Sequence, residues 1–257
     1  MKSLLRFGLG LLATAAICGD SASAKTVAIA LEDAHKADLS NALQLLNGGK
    51  PDQAEPIFVA VIAAYEAQAK PGHIYRCADD ATDAIKVSLF AAAAPEKDVT
   101  VLGPGWCLAL FGEGFALIDL NRASEAETFL GRAVEMAPTK PHYVNEYAEW
   151  FKTHRQWQKA YDLFALAWDL VDHEQKGPDR KIAARALRGM GFTQIELGDL
   201  NRAEKLLKRS LEFEPEKQSA VAGELQYIAD QRKKTASPSP PSASSSSRRE
   251  TGRPSPA

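Results

Sequence analysis

Residues 191–215 read GFTQIELGDLNRAEKLLKRSLEFEP, and this stretch decides the fold. It carries a small-x3-large-x2-small spacing at Ala203, Leu207 and Ser210, which places the three side chains on one face of a helix. A glycine-aspartate pair precedes this helix, as is typical of a turn, and a proline follows it, as is typical of a helix end. The stretch therefore predicts two helices joined by a short turn.

The same spacing occurs in two further copies upstream, at Ala126/Leu130/Ala133 and at Ala160/Phe164/Ala167. A glycine lies twelve residues ahead of the leading alanine in the first and last copies, at Gly114 and Gly191. The second copy follows the first by 34 residues, whereas the third follows the second by 43. We predict that the nine extra residues form a loop within DHEQKGPDR (172–180), because its Gly-Pro pair breaks helices.

A period of 34 residues with this spacing resembles the tetratricopeptide repeat (TPR). The resemblance covers about residues 107–215 and extends more loosely upstream to residue 37. The chain departs from the consensus at its Trp and Tyr positions, which are occupied by Leu110 and Leu117 in one repeat and by Leu187 and Gln194 in another. The resemblance implies an all-α fold, a right-handed α-solenoid of helix-turn-helix repeats with a C-terminal capping helix.

Two longer phrases, at 101–122 and 185–215, also resemble a group of exported proteins of Gram-negative bacteria. That similarity implies a compartment and no activity.

The predicted organisation has six parts: a signal peptide (1–24), an N-terminal leader (25–36), a degenerate repeat region (37–105), three repeats within 106–215 (about 107–140, 141–174 and 184–217), a capping helix (218–232) and a disordered Ser/Pro-rich tail (233–257). Within the degenerate region we expect a helix over about 74–94, followed by an extended segment at 99–102. A lone helix packed across the array is an open alternative for 71–105.

The net charge indicates the kind of partner, and the N-terminal residues indicate the compartment. The chain carries −2 overall, of which residues 1–24 contribute +1 and residues 233–257 contribute +4, so residues 25–232 carry −7. This acidic body argues against nucleic acid as a partner.

The start MKSLLRFGLGLLATAAICGDSASA combines basic residues, a short apolar run and small residues, which predicts a signal peptide cleaved after Ala24. We expect a periplasmic or secreted protein without a membrane span in its mature chain.

Cys77 and Cys107 are the two cysteines that remain after cleavage. In an oxidising compartment such a pair is a candidate disulfide. Two buried helical cysteines acting as small hydrophobic residues are an equal alternative. The sequence does not decide between them.

The TPR resemblance implies a ligand groove lined by the first helix of each repeat. The candidate groove residues fall into an apolar set and a polar set, and they are Phe111, Phe115, Asn145, Glu149, Arg185, Arg188 and Phe192. The phenylalanines would accept an apolar side chain, and Asn145 with the two arginines would hold a carboxylate or an extended backbone. The alternative is structural: the aromatic rings pack between repeats and the arginines pair with Glu149 and nearby acids.

A catalytic or metal site is not predicted. The five histidines are scattered, none forms the i,i+4 pair of a helical zinc site, and no glycine-rich phosphate loop is present. We therefore expect a non-catalytic adaptor or scaffold, without metal or cofactor, that binds a peptide or protein segment. The alternatives are a self-associating component of a cell-envelope complex and, less favoured, a thiol-dependent enzyme on a helical scaffold.

Overall fold

The computed structural model describes residues 27–92, 98–171, 177 and 179–236. The strands are β1 (Val27–Ala30), β2 (Ile74–Cys77) and β3 (Val99–Leu102). The helices are α1 (Lys36–Asn47), α2 (Pro51–Gln68), α3 (Ala81–Ala92), α4 (Gly105–Asp119), α5 (Ala123–Met136), α6 (Pro141–Thr153), α7 (Trp157–Leu170), α8 (Asp179–Glu196), α9 (Leu200–Phe213) and α10 (Gln218–Ala236). The predicted signal peptide (1–24) and most of the predicted tail lie outside the described residues.

Eight of these helices form four consecutive helix-turn-helix pairs, α1–α2, α4–α5, α6–α7 and α8–α9. Each tight turn contains one residue with positive φ: Gly49, Asn121, Arg155 and Gly198. Asn121 has a φ of +61°, a conformation that asparagine tolerates better than most residues. An apolar core runs from α1 to α8 and reaches Phe213 of α9, and a second cluster joins Ala203 and Leu207 of α9 to α10. The all-α solenoid prediction is confirmed for this part of the chain.

Two helices extend beyond the predicted bounds. Helix α8 begins at Asp179, ahead of the predicted start of the third repeat near residue 184, and an acidic residue in the first turn suits a helix N-terminus. The capping helix α10 continues to Ala236, four residues past its predicted end, so the predicted tail begins as helix. The predicted loop over 172–180 lies mostly outside the described residues.

The packing between and within repeats depends on one large residue in the second helix of each pair, which is either phenylalanine or leucine; we call this alternation the size exchange. The residues are Phe58 in α2, Leu130 in α5, Phe164 in α7 and Leu207 in α9. Both phenylalanines press on a glycine of the next pair's first helix: a methyl group on Gly189 would lie 2.4 Å from the Phe164 ring, and Gly112 meets Phe58 in the same way. Both leucines press instead on Gly114 or Gly191 of their own pair, where a methyl group would lie 2.7 Å away.

The segment predicted as a degenerate repeat is only partly helical. Residues 36–68 form the first helix pair, and residues 74–102 form a β2-α3-β3 unit. The predicted extended segment at 99–102 is confirmed as β3, whereas the predicted helix over 74–94 begins as strand β2 and is helical only from Ala81. β1, within the predicted leader, joins this unit in a parallel sheet of order β1-β3-β2. The helix prediction over 74–94 failed at its start because Ile74–Cys77 pairs with Val99–Leu102, a contact between distant segments that local periodicity does not reveal.

The β2-α3-β3 unit is attached to the repeat array by a covalent bond and by charge. Cys77 at the end of β2 is joined to Cys107 in α4 by a disulfide. The Lys140 ammonium, between α5 and α6, pairs with Asp79 and lies 2.7 Å from a carboxylate oxygen of Asp83. Burial alone would raise the pKa of Asp83, but hydrogen bonds from Lys140, Asp79 and Thr139 hold it below its ordinary value.

Glu113 in α4 is a buried carboxyl group, 2% exposed, whose Oε2 has no hydrogen-bond partner in the described part of the chain. Burial raises its pKa from 4.5 to about 7. The carboxylates of Glu55 and Glu125 add to this shift, and Arg122 opposes it. The folded protein therefore holds the Glu113 proton more tightly than the unfolded chain does.

We expect Glu113 to make the protein less stable as the pH rises from 4.5 to about 7. Its share of the loss is at most about 3 kcal/mol, and it is constant above that range. Urea unfolding of the wild type and of Glu113→Gln at several pH values measures this share as the difference between the two curves. Glutamine has the same size and does not ionise, so the variant should gain relative stability above neutral pH. Parallel curves for the two proteins would contradict the assignment.

None of the helices in the described ranges combines the length and the apolar character that a membrane span requires.

Candidate functional site

The first helices α4, α6 and α8 present one face on which two pockets lie side by side. An apolar pocket of about 210 Å³ is lined mainly by Phe115, Ile118, Leu130 and Trp150. A charged pocket of about 310 Å³ is lined by Lys152, Arg185, Arg188, Gly189, Phe192, Leu207, Ala220, Val221 and Glu224. Glu149 lines both pockets, so they are adjacent, and we refer to the two together as the groove.

The apolar pocket lies beside Leu130, one of the two leucines of the size exchange. At this junction α6 carries Glu146, where α4 and α8 carry Gly112 and Gly189. The Trp150 ring forms a fixed wall, because its Nε1–H donates to the Ala123 carbonyl at 2.8 Å and His154 stacks on it at 3.8 Å. Ile118 stands at the mouth, 37% exposed. The pocket is therefore suited to a large apolar side chain.

In the charged pocket the two arginines pair with carboxylates that are more deeply buried than they are. Arg185 makes two hydrogen bonds to Glu146, and Arg188 Nη1 donates to Glu214 Oε2 at 2.6 Å. The side chains of Glu146 and Glu214 are buried beneath their partners. Lys152 Nζ lies 2.5 Å from Glu149 Oε2 and 5.2 Å from the centre of the Phe192 ring. These pairs orient the arginines and also neutralise much of their charge.

The predicted site residues thus have different roles. Phe115, Glu149, Arg185, Arg188 and Phe192 line the groove. Phe111 is buried and stacks on Tyr143, with ring centres 4.2 Å apart, so its ring belongs to the packing between α4 and α6.

Asn145 is 1% exposed and donates from Nδ2 to the Ile182 carbonyl at 3.0 Å. Its place is the contact between α6 and α8, not the ligand surface. A clamp of Asn145 with two free arginines is therefore absent from this part of the structure.

Several residues that line the groove were not predicted from the sequence. Trp150, Thr153 and Glu146 fall outside the positions expected to face the groove, and Glu224 belongs to the capping helix. Glu214 could be suspected only as an acid near the end of a repeat. Acids are common at such positions, so the sequence alone offers no signal that separates this one.

His142 lies at one end of the groove face, against Phe111 and 4.0 Å from Glu146. Burial lowers its pKa, and the nearby Arg185 lowers it further, although Glu146 acts in the opposite direction. His142 is therefore neutral at pH 7.

The described residues contain no group of three His, Cys, Asp or Glu side chains that could hold a metal ion. The sulfurs of Cys77 and Cys107 are bonded to each other, so neither is a free nucleophile. In the disulfide form, these two cysteines therefore do not provide the nucleophile of a thiol-dependent enzyme.

Comparison with solved structures identifies the architecture. A structure described as the functional characterization of Pseudomonas aeruginosa pilF aligns with a TM-score of 0.51 and 13% identity, over 77% of this chain and 68% of that one. The MamA RS-1 ArsTM double mutant aligns with a TM-score of 0.52 and 13% identity, over 79% of this chain and 87% of that one. Both are built from tetratricopeptide repeats. The chain has the TPR fold.

TPR folds usually mediate contacts between proteins, and TPR scaffolds are generally non-catalytic. At 13% identity, the likeness establishes the fold alone. No family model matches the chain, and no curated protein matches it.

Proposed function

We propose that the protein is a non-catalytic, exported TPR adaptor or scaffold that binds a segment of another protein in the groove of α4, α6 and α8. The observation that carries the proposal is the pair of adjacent pockets that share Glu149. The apolar pocket takes an aromatic or branched side chain of the bound segment. The charged pocket offers the remaining guanidinium and ammonium hydrogens to its backbone carbonyls or to a carboxylate.

Export is supported by the sequence of residues 1–24 and by the disulfide, since such bonds persist in oxidising compartments. The partner is accordingly expected in the periplasm or outside the cell.

The test uses photo-crosslinking from a single groove position. A photoreactive phenylalanine analogue replaces Ile118 at the mouth of the apolar pocket, and in a matched control it replaces Leu166 on α7, which is 44% exposed and outside both pockets. After irradiation in cell-envelope extract, we expect discrete adducts from position 118 and only background from position 166.

The Ile118→Asp variant should lose at least about tenfold of its capture of the same adduct partners, because a charge in an apolar pocket is poorly solvated. Leu166→Asp should capture them as the wild type does. Equal adducts from both positions, or full capture by Ile118→Asp, would rule out the groove as the binding site.

A self-associating component of an envelope complex is the second candidate, favoured by the exposed apolar residues of α3. Ile85 and Leu89 are 61% and 69% exposed. Asp83 faces the repeat array, because it pairs with Lys140. Ile85 lies about 160° around the α3 axis from Asp83, so the Ile85 side of the helix points away from the array. Light scattering over a wide concentration range tests this candidate: a monomer throughout would exclude self-association, and a dimer should be lost in Ile85→Glu.

A further inference from the structure

A third cleft lies outside the groove, between strand β2 and the last turns of α5. Its volume is about 330 Å³, and its walls include His73, Tyr75, Arg76, Trp106, Arg132 and Met136. None of its lining residues contributes to the two groove pockets. The cleft is therefore a separate candidate site.

Two guanidinium groups in this cleft have hydrogen-bond donors to spare. The Arg76 guanidinium donates from Nη1 to the Tyr75 carbonyl at 3.0 Å, and no carboxylate of the described residues pairs with it. Arg132 donates from Nη2 to Glu66 Oε1 at 2.7 Å, which leaves its other N–H groups. Each guanidinium carries five N–H donors in a planar fork that suits a carboxylate.

The acidic residue of the cleft does not satisfy these donors. Glu135 is exposed, and it forms no ion pair with Arg76 or Arg132 in the described structure. Arg76 therefore remains a guanidinium without a carboxylate partner among the described residues, and both arginines keep unfilled N–H donors, which favours an oxyanion over a cation.

The aromatic wall of the cleft is fixed in place. The Trp106 ring stacks on Tyr65 with 5.5 Å between centres and 5° between planes, and Tyr75 lies tilted against it, also at 5.5 Å. The Tyr75 hydroxyl accepts a hydrogen bond from the Lys70 backbone N–H at 2.9 Å. A planar or apolar group that enters the cleft thus meets a surface that needs no reordering.

Trp106 also has an unmatched donor. The residue is 4% exposed, and its Nε1–H has no acceptor among the described residues. Buried N–H groups are normally paired, and an unpaired one costs about 1–3 kcal/mol. The indole N–H is thus a buried donor beside the cleft and is not one of the exposed donors that a ligand would meet.

The backbone beside the cleft suits an extended polypeptide. Strand β2 stands at the edge of the sheet, since its described pairing is with β3 alone, and residues 73–76 line the cleft in sequence. An edge strand offers unpaired backbone groups to a chain that lies along it.

We propose that this cleft binds a polypeptide segment carrying a carboxylate beside an aromatic or other large apolar side chain. Arg76 and Arg132 hold the carboxylate, and the wall of Tyr75, Trp106 and Met136 holds the apolar part. The site is independent of the groove, so it does not rest on the function proposed above.

The first experiment titrates the full-length, ¹⁵N-labelled protein with phenylacetate and with the neutral phenylacetamide, followed by the Trp106 indole N–H resonance. We expect saturable shifts with phenylacetate at a Kd on the order of 1–10 mM, and binding at least about tenfold weaker for the amide. Arg76→Gln should weaken phenylacetate binding at least about tenfold. Arg209→Gln, which removes an exposed arginine lying over Trp168, is the matched control and should bind as the wild type does.

Two peptides then distinguish the source of the carboxylate. Acetyl-Ala-Phe-Glu-Ala-amide presents it on a side chain, and acetyl-Ala-Ala-Phe with a free C-terminus presents it at the chain end. The peptide that binds more tightly than phenylacetate shows whether the cleft prefers a side-chain carboxylate or a C-terminal carboxylate.

Equal binding of phenylacetate and phenylacetamide by the wild type, or no saturable shift up to about 50 mM, would overturn the proposal without any variant. Wild-type affinity in Arg76→Gln would also overturn it. If Arg76→Gln unfolds, Arg132→Gln takes its place, and a normal thermal transition is required of whichever variant is used.

Discussion

Replacing Phe164 by alanine is expected to lower the free energy of unfolding by about 3–5 kcal/mol, the largest effect we predict for a single substitution. The ring is fully buried at the junction of α7 and α8, pressed against Gly189. Its removal costs the transfer free energy of the ring and leaves a cavity, because the surrounding helices can collapse only partly.

Urea unfolding measures this loss as a shift of the midpoint at constant slope. Leu166→Ala, two residues away on the exposed side of α7, is the matched control and should change stability by less than about 0.5 kcal/mol. Phe164→Leu should fall between them at about 1 kcal/mol, since it keeps most of the buried volume. Equal midpoints for Phe164→Ala and Leu166→Ala would show that the ring does not support the junction.

Loss of the Cys77–Cys107 disulfide is expected to lower stability by about 3–4 kcal/mol, the second largest effect. The bond closes a loop with a sequence separation of 30, which restricts the unfolded chain. It also cross-links β2 to α4, in addition to the main chain that joins β3 to α4. Without it, the unit is held by the ion pairs of Lys140 and by packing against α4 and α5.

The double variant Cys77→Ala/Cys107→Ala should show the loss in urea unfolding, and its midpoint should not respond to a reductant. The wild type should approach the same midpoint when reduced. In hydrogen exchange, amides of β2, α3 and β3 should become faster, while those of α6 to α9 change little. An identical wild-type midpoint with and without reductant would contradict this role of the bond.

The helices of the repeat array could be predicted because their signals are local. The small and large residues at Ala203 and Leu207 recur at helical spacing, and Asn121 can adopt the left-handed turn conformation. Each of these features acts within about ten residues. The period of 34 then extends the prediction from one pair to the next.

The sheet could not be predicted in the same way, because its decisive contacts join segments far apart in sequence. Val27 pairs with Val99, and Ile74 pairs with Val99 from the other side. A four-residue strand has too few residues to show an alternating pattern by itself. The amphipathic run that begins at Ile74 therefore resembled the start of a helix.

The groove was predicted in its helices and in part of its ion pairing. Arg185 Nε lies 3.9 Å from Glu149 Oε1, a pair that the structural alternative expected. The closer partners Glu146 and Glu214, which come from another helix and from a helix end, were not predicted. Asn145 illustrates the same limit. Its position in α6 predicted a side chain exposed in the groove, but the neighbouring helix α8 covers it. Sequence spacing specifies a face of one helix, while its neighbours decide what remains open.

The size exchange between phenylalanine and leucine also has a consequence for how such arrays diversify. Where the second helix carries Phe58 or Phe164, the ring fills the junction against a glycine, and where it carries Leu130 or Leu207, a groove pocket lies beside it. At the Leu130 junction the facing residue is Glu146 instead of a glycine, so closing that pocket requires the leucine and the glutamate to change together. Recognition pockets in this array are thus specified by pairs of positions on neighbouring helices.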